Sequence, residues 1–267
     1  MKQVSPKKYD VQYWDNFPFS YNRKVKLKDF GDVETRMSEL LQLEKTDTVV
    51  DLGCGTGLVA FFLLQKYNCK VIGIDYSKDA IKIAQNNKRH FLKNNKINPK
   101  KITFLNKTNA ELTIFKNIKA VYLKDVIEHL YDEEINKILD TIKQWNKNPI
   151  YLIIHTDNNL YLQYIRPWED IISLFLHKTT KEKINQRNKI ENERHINLMT
   201  VNQVKRKLLK YGFVTEKVGY AILSYEKIQT QLRIGQVRPL LLIVFFFAKL
   251  LFFLRPSFFL LAKFKKN

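Results

Sequence analysis

Cysteine is scarce in this chain of 267 residues, which contains only Cys54 and Cys69. Two cysteines cannot build a disulfide framework, and these two do not form the C-x-x-C pair of a zinc site, so both kinds of scaffold are excluded. The first residues, MKQVSPKKYDVQYWDNF, contain no apolar run of signal-peptide length. We therefore expect a protein of the cytoplasm, which is a reducing compartment.

Acidic residues are also few. The chain has 26 Asp and Glu against 46 Lys and Arg, which gives a formal net charge of +20 and a pI near 9.7. Three causes remain open: a solvated lysine-rich surface, binding to nucleic acid, and attraction to an anionic membrane surface. Residues 178–210 hold ten Lys or Arg and three Glu, so this stretch is the candidate surface for either partner.

Glycine is scarce too, yet it is concentrated in one place. Three of the eight glycines, Gly53, Gly55 and Gly57, fall within VVDLGCGTG (49–57). Such clustering indicates a backbone turn that other residues cannot adopt, or a ligand that approaches the backbone very closely.

Short apolar runs rich in Val, Ile and Tyr alternate with helical patterns along most of the chain. Strands are predicted at 47–52, 70–75, 101–105, 120–125 and 150–155, and helices at 57–67, 78–94 and 132–146. An amphipathic helix is predicted before them at 29–43, and a later helix precedes Gly212 and a sixth strand. This alternation predicts βαβ units and a parallel sheet with helices on both faces.

The glycine cluster then forms the turn between the first strand and the first helix. Free backbone N–H groups and the positive end of a helix dipole meet there, at the carboxyl edge of the sheet. Asp75 closes the second strand, where a carboxylate can accept both hydroxyls of a ribose. A nicotinamide or flavin dehydrogenase also needs such an acid, but its G-x-G-x-x-G pattern requires glycine where this chain has Leu58.

On these residues the chain resembles the class I S-adenosylmethionine-dependent methyltransferases, over roughly residues 45–220. The motifs that carry the resemblance are VVDLGCGTG, VIGIDYS, NAELT (109–113), DVIEHLYD (125–132) and HINLMTVNQVKRKLLKYGF (195–213). The resemblance implies a Rossmann-like, doubly wound α/β fold with a sheet of seven strands, mostly parallel with the last antiparallel, and S-adenosyl-L-methionine as cofactor.

The resemblance also assigns cofactor-binding residues. The turn from Gly53 through Cys54 and Gly55 to Gly57 would lie against the methionine part, with Asp51 orienting its amino group. The other implied contacts with the cofactor or the transfer site are Asp75 for the ribose, Tyr76, Asn109 and Ala110 for the adenine, and Lys124 and Asp125 at the end of strand four. The family often has Asp at the position of Asn109.

Methyl transfer needs alignment of acceptor, methyl group and sulfur, and a base only where the acceptor must lose a proton. His129 and His195 are the expected catalytic residues at the acceptor, while His155 follows an apolar strand and is expected to be an interior residue. Asp125, Glu128, His129 and His195 also resemble the magnesium ligands of small-RNA 3′-end 2′-O-methyltransferases, although that family carries Glu at the position of Asp125. We expect catalysis without a metal.

The acceptor side is marked by aromatic stretches. YDVQYWDNFPFSYNR (9–23) and NNLYLQYIRPWEDIISLF (158–175) are expected either to form a lid or to pack on the sheet. An apolar helix at 240–254, about 22 Å long, is too short to span a bilayer. It is expected at a membrane interface, in the interior or at a dimer contact, and SFFLLAKF (257–264) resembles the family's final antiparallel strand between strands five and six.

These expectations give three parts: an N-terminal helical cover (1–44), a methyltransferase domain (45–220), and the apolar helix with the final strand (221–267). The leading hypothesis is methylation, most simply on oxygen, of a small, glycan-like or lipid-linked acceptor at the cytoplasmic face of the membrane. An RNA methyltransferase and a non-catalytic cofactor-binding protein remain the alternatives. The apolar tail favours the first, because it has no evident use in an RNA enzyme.

Overall fold

The structure is a computed structural model that describes residues 13–14, 25–108, 111–112, 115–145, 149–175, 177, 179–221 and 252–264. Within these residues seven strands form one sheet in the order β3-β2-β1-β4-β5-β7-β6. The strands are β1 (Thr48–Leu52), β2 (Lys70–Asp75), β3 (Ile102–Asn106), β4 (Ile118–Lys124), β5 (Ile150–Asp157), β6 (Phe213–Tyr220) and β7 (Ser257–Phe264).

Helices connect these strands. They are α1 (Asp32–Leu40), α2 (Leu58–Tyr67), α3 (Lys78–Asn95), α4 (Asp132–Gln144), α5 (Asn159–Tyr164), α6 (Arg166–Phe175), α7 (Lys181–Arg194) and α8 (Val201–Lys210). Short 3₁₀ turns lie at Leu27–Asp29, Pro99–Lys101, Ile127–His129 and Phe252–Leu254. The segment between β5 and β6 (158–212) is therefore helical throughout most of its described length.

The pairing of the strands follows the predicted mixed pattern. β1 is parallel to β2 and β4, and β4 is parallel to β5. β7 lies between β5 and β6 and is antiparallel to both, with Ser257 opposite Asp157 and Phe264 opposite Ile150. The prediction of a final antiparallel strand at 257–264 is confirmed.

Two apolar layers cover the sheet, because successive residues of a strand point to opposite faces. Val49 belongs to the layer under α1, α2 and α3, whereas Val50 belongs to the layer under α4 and α8. Helix α2 is buried over most of its surface, from Val59 to Leu64. This burial is consistent with its near-continuous apolar sequence, because a helix that is apolar all round is placed in the interior.

Several predicted bounds differ from the structure. The helix expected at 29–43 occupies only Asp32–Leu40, because Leu27–Asp29 forms a separate 3₁₀ turn and the backbone is extended at Phe30 and at Leu41. Most of the apolar helix predicted at 240–254 lies outside the described residues, and its described end, Phe252–Leu254, is a 3₁₀ turn. In the described part of the chain no helix is both long and apolar enough to cross a membrane.

Candidate active site

The glycine-rich turn follows β1 and lies against the end of β2. The backbone N–H groups of Gly53 and Cys54 both donate to the carbonyl of Ile74, at 2.8 and 3.0 Å. Gly53 has a φ of +74°, and a Cβ at this position would lie 2.5 Å from Cγ2 of Val126. Glycine is required here both by the backbone conformation and by the space available.

The other two glycines of the turn have different surroundings. A Cβ on Gly55 would lie 2.7 Å from the ring of Trp14, so Gly55 borders the cleft. Gly57 donates its N–H to the carbonyl of Cys54 at 2.9 Å, and a Cβ there would lie 2.8 Å from the ring of Phe104. Gly57 therefore packs the turn onto the core. Burial also raises the pKa of the Cys54 thiol well above its usual range, which keeps it protonated.

Asp75 holds the turn from the end of β2. Its carboxylate accepts hydrogen bonds from the backbone N–H of Gly55 at 2.9 Å and of Ser77 at 2.8 Å. Burial raises its pKa, although these backbone hydrogen bonds oppose the shift. Each carboxylate oxygen can accept a further hydrogen bond, so the group fits the ribose diol that the resemblance implies. Tyr76 also lines the cleft, whereas Asn109 and Ala110 lie outside the described residues.

Asp51 and Lys124 lie on the other side of the turn, at the ends of β1 and β4. Asp51 is 1 % exposed, and none of the described residues donates a hydrogen bond to its Oδ2. Burial raises the pKa of Asp51 to about 7. Lys124 forms an ion pair with Glu34 of α1 at 2.6 Å. A buried carboxyl oxygen without a donor fits the amino group of the cofactor, since a buried polar atom without a partner is costly.

A chain of hydrogen bonds joins the loop after β4 to β5 and β7. Asp125 has a φ of +53° and donates its N–H to the carbonyl of His155 at 3.0 Å. Its carboxylate accepts from Nδ1 of His155 at 2.6 Å, and Nε2 of His155 lies 2.9 Å from the hydroxyl of Ser257. His155 is 5 % exposed, as its place in an apolar run predicts, and it holds Asp125 at the cleft.

His129 and His195 lie side by side, with ring centroids 4.9 Å apart. Nδ1 of His129 donates to the backbone carbonyl of Arg194 at 3.1 Å, so Nε2 is the basic nitrogen of the neutral ring. Burial lowers the pKa of His129 to about 4. His129 lines the cleft together with Asp125 and Gly53. His195 lines an adjoining pocket between α6 and α7.

Glu128 is turned away from the cleft into the sheet. It is 2 % exposed, and its carboxyl accepts a hydrogen bond from the hydroxyl of Thr156 at 2.9 Å. Burial and the neighbouring charge of Asp125 raise the pKa of Glu128 well above its usual range. Among the described residues no group of three or more His, Cys, Asp or Glu is arranged to hold a metal ion. Metal-free catalysis stays a prediction.

Two aromatic residues near the N-terminus complete the cleft, which has an empty volume of about 700 Å³ with its open mouth included. The rings of Tyr13 and Trp14 meet edge to face at 4.8 Å, and the guanidinium of Arg194 lies 4.5 Å from the centre of the Tyr13 ring. Both side chains line the cleft beside Gly53 and His129. They belong to the stretch considered as a lid, and the rest of that stretch lies outside the described residues.

Sequence reasoning missed residues that support the site, among them Arg194, whose backbone carbonyl holds the ring of His129. Glu34 pairs with Lys124 across 90 residues of chain, and Ser257 bonds to His155 across 102 residues. No local motif marks either one. The lone signals were an acid in the first turn of α1 and a serine at the start of β7.

The comparisons with known proteins agree with this geometry. A family model described as a methyltransferase domain matches residues 43–218, which is more than half of the chain. The phosphoethanolamine N-methyltransferase of Plasmodium falciparum (isolate 3D7) is 28 % identical over 151 residues, which cover 57 % of this chain and 51 % of that protein. The chain thus matches about half the length of this curated relative.

Solved structures share the fold at low sequence identity. Phosphoethanolamine N-methyltransferase 2 of Haemonchus contortus, in complex with S-adenosyl-L-methionine, superposes with a TM-score of 0.61 at 16 % identity, covering 98 % of this chain and 60 % of that one. Magnesium protoporphyrin IX methyltransferase of Synechocystis PCC 6803, with bound SAH, gives a TM-score of 0.58 at 16 % identity and covers 97 % and 98 %. At these identities the likeness shows the fold.

Proposed function

The chain belongs to the class I S-adenosylmethionine-dependent methyltransferases, and from this premise we propose that it methylates an oxygen or nitrogen of a small molecule bound beside His129 and Asp125. The observation that carries the proposal is the position of His129. Its ring is fixed by Arg194 and shares one cleft with Asp75 and the glycine-rich turn. Cofactor and base thus border the same space.

When bound, the cofactor would supply a methyl group on a positively charged sulfonium: the bond from the acceptor atom to the methyl carbon would form as the carbon–sulfur bond breaks, with the neutral thioether as leaving group. The residues of the chain provide the alignment and the electrostatic surroundings. Asp75 would accept hydrogen bonds from the ribose, Asp51 would accept from the amino group, and Tyr13 and Trp14 would limit the access of water. The acids Asp75 and Asp125 line the cleft of a protein with a net charge of +20, and their negative charge favours a cationic cofactor.

His129 is the proposed proton acceptor. Because its pKa is about 4, the ring is neutral at pH 7 and Nε2 carries a lone pair. A hydroxyl acceptor loses its proton as the new bond forms, whereas an ammonium acceptor must lose a proton before it can attack, because it has no lone pair. A positioned base contributes roughly 10²–10⁴-fold, most when its pKa is near the working pH, so a pKa of about 4 places His129 at the lower end of this range. His195, 4.9 Å from His129, is the second residue proposed to border the acceptor.

Two classes of acceptor are considered, one methylated on oxygen and one on nitrogen. The sequence favoured oxygen in a glycan-like or lipid-linked acceptor at the cytoplasmic membrane face. The curated relative, 28 % identical over 151 residues, is named as an N-methyltransferase of phosphoethanolamine, which supports an amino-alcohol phosphate as the second candidate. Both candidates need a base, so the role of His129 is common to them.

Methyl-labelled S-adenosylmethionine tests the proposal directly. The purified protein is incubated with phosphoethanolamine, with sugar and lipid-linked hydroxyl compounds, and with RNA, and the label is followed into each fraction. We expect label in a small-molecule or lipid fraction, with kcat lowered about 10²-fold or more in His129→Asn. His90→Asn, at an exposed position on α3, is the matched control and should retain full activity.

Two outcomes would contradict the proposal. Label found only in RNA would support the RNA methyltransferase instead. If turnover disappears on chelation and returns with magnesium or manganese, catalysis is assisted by a metal ion and not by a histidine base alone.

A further inference from the structure

The outer face of α6 carries large apolar side chains that are exposed. Trp168, Ile171 and Phe175 are 66 %, 56 % and 81 % exposed, and Tyr164 just before the helix is 60 % exposed. The spacing of three and four residues from Trp168 to Ile171 and Phe175 places these three on one side of α6. Tyr164 is the last residue of α5. A contiguous row of exposed aromatic and aliphatic side chains marks an interaction surface more often than scattered ones do.

The acids of α6 lie away from this outer face and are paired with other elements. Asp170 accepts two hydrogen bonds from the guanidinium of Arg187 on α7, at 2.6 and 3.1 Å. Glu169 accepts a hydrogen bond from the hydroxyl of Tyr161 on α5. These pairs fix α6 against its neighbours and leave little free negative charge near the exposed row.

Positive charge lies on the neighbouring helix. Lys181 and Lys183 are exposed, with the exposed Glu182 between them, at the start of α7, the helix that pairs with α6 through Arg187. Residues 178–210 carry ten Lys or Arg against three Glu. Tryptophan and tyrosine favour the boundary between hydrocarbon and water, and lysines at such a boundary are attracted to anionic headgroups. We propose that the outer face of α6 docks on the surface of an anionic lipid bilayer.

Docking on this face is compatible with access to the site. Arg166, Pro167 and Asp170, on another side of the same helix, line the pocket that His195 borders. The bilayer would therefore lie on one side of α6 and the pocket on another. The proposal concerns the location of the enzyme, and it stands whether the acceptor is a lipid or a soluble molecule.

The test is flotation of the full-length protein with vesicles of phosphatidylcholine, alone or mixed with phosphatidylglycerol. We expect binding to the mixed vesicles, weaker binding to neutral ones, and loss at high salt. The triple variant Trp168→Ser, Ile171→Ser, Phe175→Ser should bind about tenfold or more weakly, because each side chain buries apolar area in the interface. Leu209→Ser, 64 % exposed on α8, is the matched control and should bind normally.

A second measurement does not depend on the triple variant. Brominated lipid should quench tryptophan fluorescence in the wild type. It should quench less in Trp168→Phe, which lacks the tryptophan proposed to enter the bilayer. The proposal is overturned if the triple variant binds as well as wild type, if quenching is the same with and without Trp168, or if neutral vesicles bind equally well. A dimer in solution that the triple variant dissociates would assign the face to a second copy of the chain and overturn it too.

Discussion

The two sides of the active-site cleft are held together in different ways. On the cofactor side the contacts involve backbone groups: Gly53 and Cys54 donate to the carbonyl of Ile74, and Gly55 donates to Asp75. On the acceptor side, side chains bond to distant groups. Nδ1 of His129 reaches the carbonyl of Arg194 across 65 residues of chain.

This difference decides what each side requires of the sequence. A backbone-held turn needs particular residue types at fixed spacing, which appear as a motif. A side-chain network needs only that the partners meet in space, so many sequences can provide it. The cofactor side should therefore be intolerant of single small changes, whereas the acceptor side should lose activity by degrees. The following experiments test this contrast.

The largest effect is expected for Gly53→Ala. The new Cβ would lie 2.5 Å from Val126, at a backbone φ of +74°. Left-handed strain and overpacking together should lower the free energy of unfolding by roughly 2–5 kcal/mol, and S-adenosylmethionine binding should be lost or greatly weakened. Denaturant unfolding and calorimetry measure the two quantities.

Gly219→Ala is the matched control for this substitution. A Cβ on Gly219 would approach no atom closer than 3.9 Å, at Cβ of Phe259, so we expect a change below about 1 kcal/mol. Equal stability and cofactor affinity in the two variants would show that the turn tolerates side chains and would remove the contrast.

Asp75→Ala should weaken the cofactor at least tenfold. The variant removes the proposed acceptor of both ribose hydroxyls, and charge-assisted hydrogen bonds contribute about 1.5–3 kcal/mol each. It also releases the N–H of Gly55, so the turn loses a constraint. Calorimetry with S-adenosylmethionine gives the affinity, with the exposed Asp140→Ala on α4 as control. Wild-type affinity in Asp75→Ala would refute the assignment.

Much of the fold was predictable because its strands and turns follow local patterns. The strand at 70–75 was predicted to the residue, since an apolar run between turn residues set its ends. The strand at 257–264 was also predicted to the residue, through its resemblance to the family's final strand. The start of α1 was placed three residues too early, because Leu27–Asp29 forms its own 3₁₀ turn. That turn depends on a hydrogen bond from Lys26 to Asp29, which no periodicity reveals.

The acceptor side was less predictable from the residues alone. His129 and His195 were named through the resemblance, and the structure places their rings 4.9 Å apart. The partnership of Asp125, His155 and Ser257 was not anticipated, because His155 lies 30 residues from one partner and 102 from the other. Such contacts depend on the order of strands in the sheet, which a linear pattern does not encode.

A pH experiment on Asp51 should show a smaller effect on the cofactor side. Its pKa is about 7 in the folded protein, and the proposed contact with the amino group of the cofactor would favour the ionised form. Affinity should therefore fall about eightfold between about pH 7.5 and 6, as the carboxylate is protonated. Stability of the protein without cofactor should change with pH in the opposite direction to affinity. Because the carboxyl pKa is raised on folding, the free energy of unfolding decreases as pH rises through about 7.

Asp51→Asn should remove this pH dependence, and Asp140→Asn should leave it as in wild type. Isothermal titration at several pH values measures affinity, and thermal unfolding of the free protein measures stability. A flat affinity profile in wild type would mean that Asp51 does not contact the amino group.

The smallest effect is expected on the acceptor side, for Ser257→Ala. The variant removes the hydroxyl that lies 2.9 Å from Nε2 of His155, while the bond from His155 to Asp125 remains. One hydrogen bond contributes about 0.5–1.5 kcal/mol, so kcat for the identified acceptor should fall roughly two- to tenfold, with the KM for S-adenosylmethionine unchanged.

Ser38→Ala is the control, because Ser38 is 1 % exposed and hydrogen-bonded to Thr35 on α1. It should lower the unfolding temperature by a similar amount without changing kcat. If both variants lose stability and neither loses kcat, then the chain from Ser257 through His155 to Asp125 only supports the fold, and the acceptor side is less dependent on distant side chains than the contrast requires.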